Sequence, residues 1–395
     1  MIALVAAASV RAQAPVGPTP AESEDSRRAR AAELRAIYWK SSGEWPAPWV
    51  DEGVDWRELG RLPAAPAPAD NPTTPEKVEL GKKLFFDPRL SGSGQLSCAS
   101  CHDPDLGWAD GRTTAFGHRR EPLRRNSPTI MNLAHMPAIF WDGRAGSLED
   151  QAREVILNPS EMSATPDSVV RELSAVPEYR DSFRAVFGSE DVDLDMIAKA
   201  VAAFERSIVG GRSAFDKFLG GDRDAMSDEA ILGLDLFRRK ARCMNCHHGP
   251  AFSDGQFHDL GLSYYGRELE DLGRYRVTAL PEDVGRFRTP GLRNVAATGP
   301  YMHNGLFELT GVLNMYNAGM ATLKRKPEQA DDPLFPTKSP HLKPLGLDKR
   351  ELADLKAFLE SLTEPKRRVR APALPGLTAH PAPTPTDPAP EGRIR

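Results

Sequence analysis

The four cysteines of this 395-residue chain are confined to two copies of one pentapeptide, Cys98-Ala99-Ser100-Cys101-His102 and Cys243-Met244-Asn245-Cys246-His247. No other feature restricts the fold as much, because two thiols one turn apart, followed at once by an imidazole, suit few chemistries. A redox disulfide does not need the histidine and prefers a strand-to-helix setting that neither flank offers. A four-cysteine zinc ribbon wants its halves about 15–20 residues apart, whereas Cys98 and Cys243 are 145 positions apart. Covalent haem attachment uses all three groups, since the sulfurs capture the vinyl groups and the histidine coordinates the iron. The motifs therefore predict two c-type haems held by Cys98, Cys101, Cys243 and Cys246, with His102 and His247 as proximal ligands. Structural zinc and a disulfide pair are the weaker alternatives.

A chain of this length suggests two or three domains, and 40% hydrophobic residues suffice for globular cores. The net charge of −4 gives no reason to expect nucleic acid. No apolar run is long enough to span a membrane. The opening MIALVAAASVRAQAP carries an apolar stretch ahead of Ala12-Gln13-Ala14, a small-x-small pattern suited to signal peptidase, although a basic n-region is missing. Residues 1–14 are expected to be a signal peptide, which agrees with haem attachment in the periplasm.

Residues 15–74 form a leader with four tryptophans, Trp39, Trp45, Trp49 and Trp56, and a connector, PAAPAPADNPTTP, that is neither helix nor central strand. So aromatic a leader is expected to pack on the body. The last segment, 371–395, contains seven prolines and is expected to be disordered. Between them, PDSVVRELSAV, LDMIAKAVAAFERSIV and SDEAILGLDLFRRK place apolar residues at helical spacing, with Asp or Ser where N-caps belong. Val209-Gly210-Gly211-Arg212 should end one helix before a new start at Ser213, the natural boundary between a domain at 75–212 and one at 213–370. Landmarks recur across that boundary. Trp108-Ala109-Asp110-Gly111 matches Phe252-Ser253-Asp254-Gly255, Ser127 to Ala134 matches Thr289 to Ala296, and Trp141-Asp142-Gly143 falls on His303-Asn304-Gly305. The expected fold is mainly α, two cytochrome c-like haem domains related by internal duplication with long connecting loops. The second copy carries about seventeen extra residues around YYGRELEDLGRYRVTALPEDV, read as a loop over one face.

The ordered strings LGKKLFFDPRLSGSGQLSCASCHDP, FGHRREPLRRNSPTIMN, FWDGRAGSLEDQA, NPSEM, CMNCHHGP and RFRTPGLRNVAATGPYMHNG resemble the bacterial di-haem cytochrome c peroxidase family and its relative MauG, over roughly residues 75–365. The resemblance implies one haem c per domain, the N-terminal one peroxidatic and the C-terminal one relaying electrons, with calcium near their interface. It does not cover the leader or the tail. It allows a homodimer.

By the same resemblance Glu161 of NPSEM matches the catalytic carboxylate, able to take a proton from one peroxide oxygen and return it to the other. Gln151 matches a neighbouring distal position. Without the resemblance both read as ordinary surface residues. Trp141 matches the tryptophan between the haems; read alone, it is a core aromatic. Asn126 matches a calcium-binding side chain, and the carbonyls of Thr298 and Pro300 match its partners, neutral oxygens that calcium accepts. His118 matches a histidine that caps the N-terminal haem in the resting state. At the sixth position of the C-terminal haem, where many relatives have methionine, the count puts Tyr316, as in MauG. Leu309, Val312, Leu313 and Tyr316 share one helical face, with Met315 and Met302 as rivals. The expected activity is reduction of hydrogen peroxide to water with electrons from a small cytochrome c or cupredoxin. The alternatives are a MauG-like oxidase acting on a protein or small molecule through high-valent iron, and a non-catalytic electron-transfer cytochrome.

Overall fold

A computed structural model describes residues 22–377. The expected signal peptide and most of the proline-rich tail lie outside the described residues. The helices are α1 (Glu24–Tyr38), α2 (Pro75–Phe85), α3 (Leu148–Leu157), α4 (Pro166–Ser174), α5 (Pro177–Phe187), α6 (Leu194–Ser207), α7 (Ala214–Leu219), α8 (Asp228–Arg238), α9 (Tyr275–Thr278), α10 (Leu309–Asn317) and α11 (Lys349–Ser361). Side-chain caps start most of them: Ser23, Thr74, Ser147, Thr165, Asp193, Ser213, Ser227 and Asp348 each accept an N–H from the first turn of their helix. The Asp193 and Ser227 caps and the fresh start at Ser213 are where the sequence puts them. Among the described residues the strands are β1 (Phe257–Asp259) and β2 (Arg286–Arg288), paired antiparallel with Phe257 opposite Arg288. The fold is mainly helical, as expected.

Two apolar cores carry the same construction. In the first, α2 crosses α6 so closely that a methyl group on Gly81 would overlap the Ala200 carbonyl. In the second, α8 crosses α11, and Gly233 stands in the same way against the Asp354 carbonyl. Beside each crossing three aromatic rings meet: Phe85, Trp108 and Phe204 at 5.2–5.9 Å, and Phe237, Phe252 and Phe358 at 5.1–6.3 Å. Such pairs contribute about 0.5–1.5 kcal/mol each beyond the area they bury. A left-handed asparagine then fastens the chain leaving each crossing helix. Asn132 donates its N–H to Ile208 and accepts the Gly210 N–H, and Asn294 does the same with Leu362 and Glu364.

The chain ends cross over. The leader as far as Leu59 packs on the second core, and its end meets the first, where the buried Asn71 amide donates to Glu149 and to the Lys199 carbonyl. Its α1 lies on α8, and Ala31, Leu34, Tyr38, Trp45 and Leu59 join that core. Arg238, fully buried, pairs with Glu58, donates to the Pro46 carbonyl and faces the rings of Tyr38 and Trp45. Two of the four tryptophans, Trp39 and Trp49, remain exposed, so the packing expected of the leader is partial. In return Val369 packs on the first core and the Pro375 carbonyl accepts from Arg89. Of the tail, residues 371–377 are described, and Pro375 meets the body there through Arg89.

Candidate active site

Each Cys-x-x-Cys-His motif forms a short 3-10 turn, Cys98–Ser100 and Cys243–Asn245. The turn draws the histidine N–H onto the first cysteine carbonyl, at 3.0 Å for His102 and 2.8 Å for His247. Each ring is then oriented by a backbone carbonyl: Nδ1 lies 3.1 Å from the Trp108 oxygen in His102 and 3.0 Å from the Phe252 oxygen in His247. With Nδ1 donating, Nε2 keeps its lone pair, the form a metal ligand needs. Burial favours the neutral ring, lowering His102 to about 4 and His247 in the same direction. None of the four cysteines is joined to another in a disulfide. Cys246, Asp254 and His258 also come within 4.8 Å of one another, but this set draws on a thiol of the second haem motif and holds Asp254 and His258 in a 2.8 Å hydrogen bond.

A cavity of about 590 Å³ opens beside the first motif and brings Cys98, Cys101 and His102 together with Trp141, Gln151 and Glu161. Gln151 comes from the first turn of α3 and is buried. Glu161 sits in the turn after α3, where the Asn158 amide donates to it at 3.0 Å and the Arg144 guanidinium approaches to 3.9 Å. Burial is the largest influence on this carboxyl and, partly opposed by Arg144, raises it to about 7. His118 does not line the cavity; Phe116 and Gly117 of its loop do. Its N–H donates to the Ser160 carbonyl (3.1 Å), and Gly117 lies so close to that carbonyl that a side chain would not fit. The histidine loop thus rests directly on the NPSEM turn, with the His118 Nδ1 buried and without a hydrogen-bond partner.

A second cavity of about 210 Å³ gathers Cys243, Cys246 and His247 with Tyr316, Met302 and His303. Tyr316 faces it from α10, whereas Met315 does not, as the apolar face of that helix requires. Burial, followed by the neighbouring thiols, raises the Tyr316 phenol. Asn126, Pro128, Trp141 and Arg288 line both cavities. The Trp141 indole donates to the Asn126 carbonyl at 3.0 Å, and its ring lies 6.5 Å from that of His303, which stacks on Phe287 at 3.7 Å. Asn126 uses its amide nitrogen on the Arg112 carbonyl (2.8 Å), so its amide oxygen is the atom left for another partner. Thr298 and Pro300 border the same cavity.

Several contributors escape sequence reading. Asp271, in the insertion of the second half, holds Arg125 through two hydrogen bonds of 2.6 and 2.8 Å, and Arg125 also binds Asp142 at 2.6 Å. Arg274 donates to the carbonyls of Asp142 and Gly143. The insertion thereby grips the turn that carries Trp141, and its Asp271, Arg276 and Val277 help to wall the first cavity. Arg144 is fixed by Asp142 and Glu154 and lies over the Phe140 ring. Only the length of the insertion hinted at any of this.

Comparison with known proteins agrees with this geometry. A family described as di-haem cytochrome c peroxidase matches residues 75–224. The methylamine utilization protein MauG of Methylorubrum extorquens is 44% identical over 317 residues, 80% of this chain and 86% of that protein. The cytochrome c551 peroxidase of Nitrosomonas europaea is 37% identical over 314 residues, 79% of this chain and 87% of that protein. The crystal structure of a MauG-like protein associated with microbial copper homeostasis superposes with a TM-score of 0.68 at 31% identity, over 80% of this chain and 96% of that one. With two haem-attachment turns, two cavities and relatives of this extent, the chain belongs to the di-haem cytochrome c peroxidase family, alongside MauG.

Proposed function

We propose that this enzyme reduces hydrogen peroxide to water in the periplasm, using two electrons delivered singly by a small cytochrome c or cupredoxin. When bound through the two motifs, the haem c groups supply peroxide coordination at the first site and electron storage and relay at the second. The observation that carries the reading is the unequal furnishing of the two cavities. Glu161, poised near neutrality, and Gln151 face only the first, while Trp141 borders both. Glu161 accepts the proton leaving one peroxide oxygen and returns it to the other, so that water departs. Gln151 lines the same space. Trp141, polarisable and anchored by its indole N–H, spans the wall between the cavities. The test is peroxide-dependent oxidation of a reduced c-type cytochrome by the full, haem-loaded chain. Absence of turnover, with both haems present, would leave the non-catalytic cytochrome.

The repeated crossings, aromatic triads and asparagine fasteners support domains at 75–212 and 213–370 that arose by duplication. Calcium fits between them, held by the free Asn126 oxygen and the carbonyls of Thr298 and Pro300. His118 would ligate the first haem only after its loop rotates off Ser160. One observation favours the MauG-like alternative: Tyr316, not Met315, faces the second cavity, and a phenolate ligand favours oxidised iron.

A further inference from the structure

Glu205 stands in the last turn of α6, only 4% exposed, and lines the first cavity together with Cys98. It takes no part in the proton transfer assigned to Glu161. Its Oε2 is buried, and no described residue donates a hydrogen bond to it. The neighbouring acid differs: Glu149 on α3 accepts from Arg206 and from Asn71. Arg206 thus turns to Glu149, although it is adjacent to Glu205 in the chain. Burial raises Glu205 to about 8, and the Arg206 charge opposes the rise only in part. The last turn of a helix, at the negative end of its dipole, disfavours an anion further. The elements packed on α6 leave this acid isolated. Lys77 on α2 donates to Asn71, α4 buries only Val169 and Leu173, and His135, in the short turn Leu133–His135, is kept neutral by burial. Cys98 feels the Glu205 charge but ceases to titrate once it is a thioether.

We infer that Glu205 is a proton acceptor linked to the first haem, binding one proton when an electron reaches that iron and releasing it when the iron is reoxidised. The inference rests on the two-haem reading of the motifs. The step balances: ferric iron, one electron from the donor protein, the Glu205 carboxylate and one proton from water give ferrous iron and the carboxylic acid. Two influences oppose each other at this carboxyl. The extra positive charge of ferric iron stabilises the carboxylate, and its loss on reduction lets burial prevail. Proton uptake then keeps the charge of a buried site constant while electrons arrive one at a time, which avoids the cost of an uncompensated charge in apolar surroundings.

The experiment is a spectroscopic redox titration of the haem-loaded full chain, repeated from about pH 5 to pH 10 to bracket the Glu205 carboxyl. Haem is first counted as the pyridine haemochrome. Fewer than two haems in the parent overturns the two-haem reading, and with it the ground for this one; two haems make the titration the decisive arm. Glu161, which also titrates near neutrality in this cavity, is silenced by Glu161→Gln. The couple of the first haem is followed in that variant and in the double variant that adds Glu205→Gln. With Glu205 present the potential should fall as the pH rises, towards the limit of a tenfold change in the redox equilibrium per pH unit, 59 mV for one electron and one proton. With Glu205→Gln most of that slope should be lost, and a carboxylic-acid C=O band that appears on reduction in the infrared difference spectrum should vanish. If the double variant does not fold, Glu205→Asp takes the place of Glu205→Gln, and the pH limits of the slope should move with the shorter acid. A flat couple in Glu161→Gln, an undiminished slope once Glu205→Gln is added, or unmoved limits with Glu205→Asp overturns the proposal.

Discussion

Replacing Arg144 by glutamine isolates how Glu161 works, because it changes the charge beside the carboxyl without removing the carboxyl. Glu161 is raised to about 7 by burial, and Arg144 at 3.9 Å opposes the rise. Unit charges at that distance interact by about 1–4 kcal/mol for effective dielectric constants between 80 and 20. Arg144 is shared with Asp142 and Glu154, so the lower end applies, about one pKa unit. Losing the cation destabilises the carboxylate, so the group titrates near pH 8 instead of near 7, by that ~1 unit. At neutral pH the ionised, proton-accepting fraction falls from about one half to about one tenth, and kcat/KM falls about fivefold. Activity returns in full as the pH passes about 9, where both forms are ionised. The assay is stopped-flow oxidation of reduced cytochrome c by peroxide from about pH 5 to pH 9, with the parent, Arg144→Gln and Glu161→Gln compared at equal haem content. Glu161→Gln should lose about a hundredfold or more and show no acid limb. An acid limb that stays in place in Arg144→Gln, or turnover in Glu161→Gln within about twofold of the parent, would remove Glu161 from proton transfer.

Stripping divalent cations with a chelator should suppress peroxidase turnover while leaving haem content intact, and Asn126→Ala should reproduce the effect; unchanged turnover in both would exclude calcium from the mechanism. Tyr316→Phe should raise the potential of the C-terminal haem while Met315→Leu leaves it unmoved, as read by redox titration. Loss of a near-infrared methionine-to-iron band in Met315→Leu would reverse that assignment. Gly81→Ala should destabilise the fold by about 1–3 kcal/mol in chemical denaturation, the usual cost of forcing a methyl group into a filled contact; equal stability would mean that α2 and α6 separate at no cost.

What was legible in the sequence was mostly local. The haem-attachment turns and the caps at Asp193, Ser213 and Ser227 depend on residues within a few positions of one another, and they stand where the strings put them. Tyr316 was reached by counting along the resembling motif, with helical spacing to put it, and not Met315, on the inward face, and it lines the second cavity. Glu161 and Gln151 were reached through ordered motifs, and their common cavity could not be read from spacing. Arg288, Asp271 and Arg274 were missed for a physical reason: each acts on a loop more than a hundred residues away, so no period in the sequence reports it. The leader shows the same limit. Its tryptophans signal burial, but not that the surface receiving α1 belongs to the second half of the molecule.

That exchange of ends bears on how the molecule is made. A ribosome delivers α1 early, yet the surface it covers on α8 is complete only about two hundred residues later. The strap that lies on the first core, through Val369 and Pro375, emerges later still, after α11. Neither half is finished until the other has been synthesised. A cut at Gly210-Gly211 would not release two ready-made haem proteins: one fragment would carry an unsheathed α1, and the other would expose the α8 face and a loose strap. Supplied together, each fragment holds the piece that covers the other's surface, which makes this linker a natural place to build a split enzyme that assembles only when both parts are present.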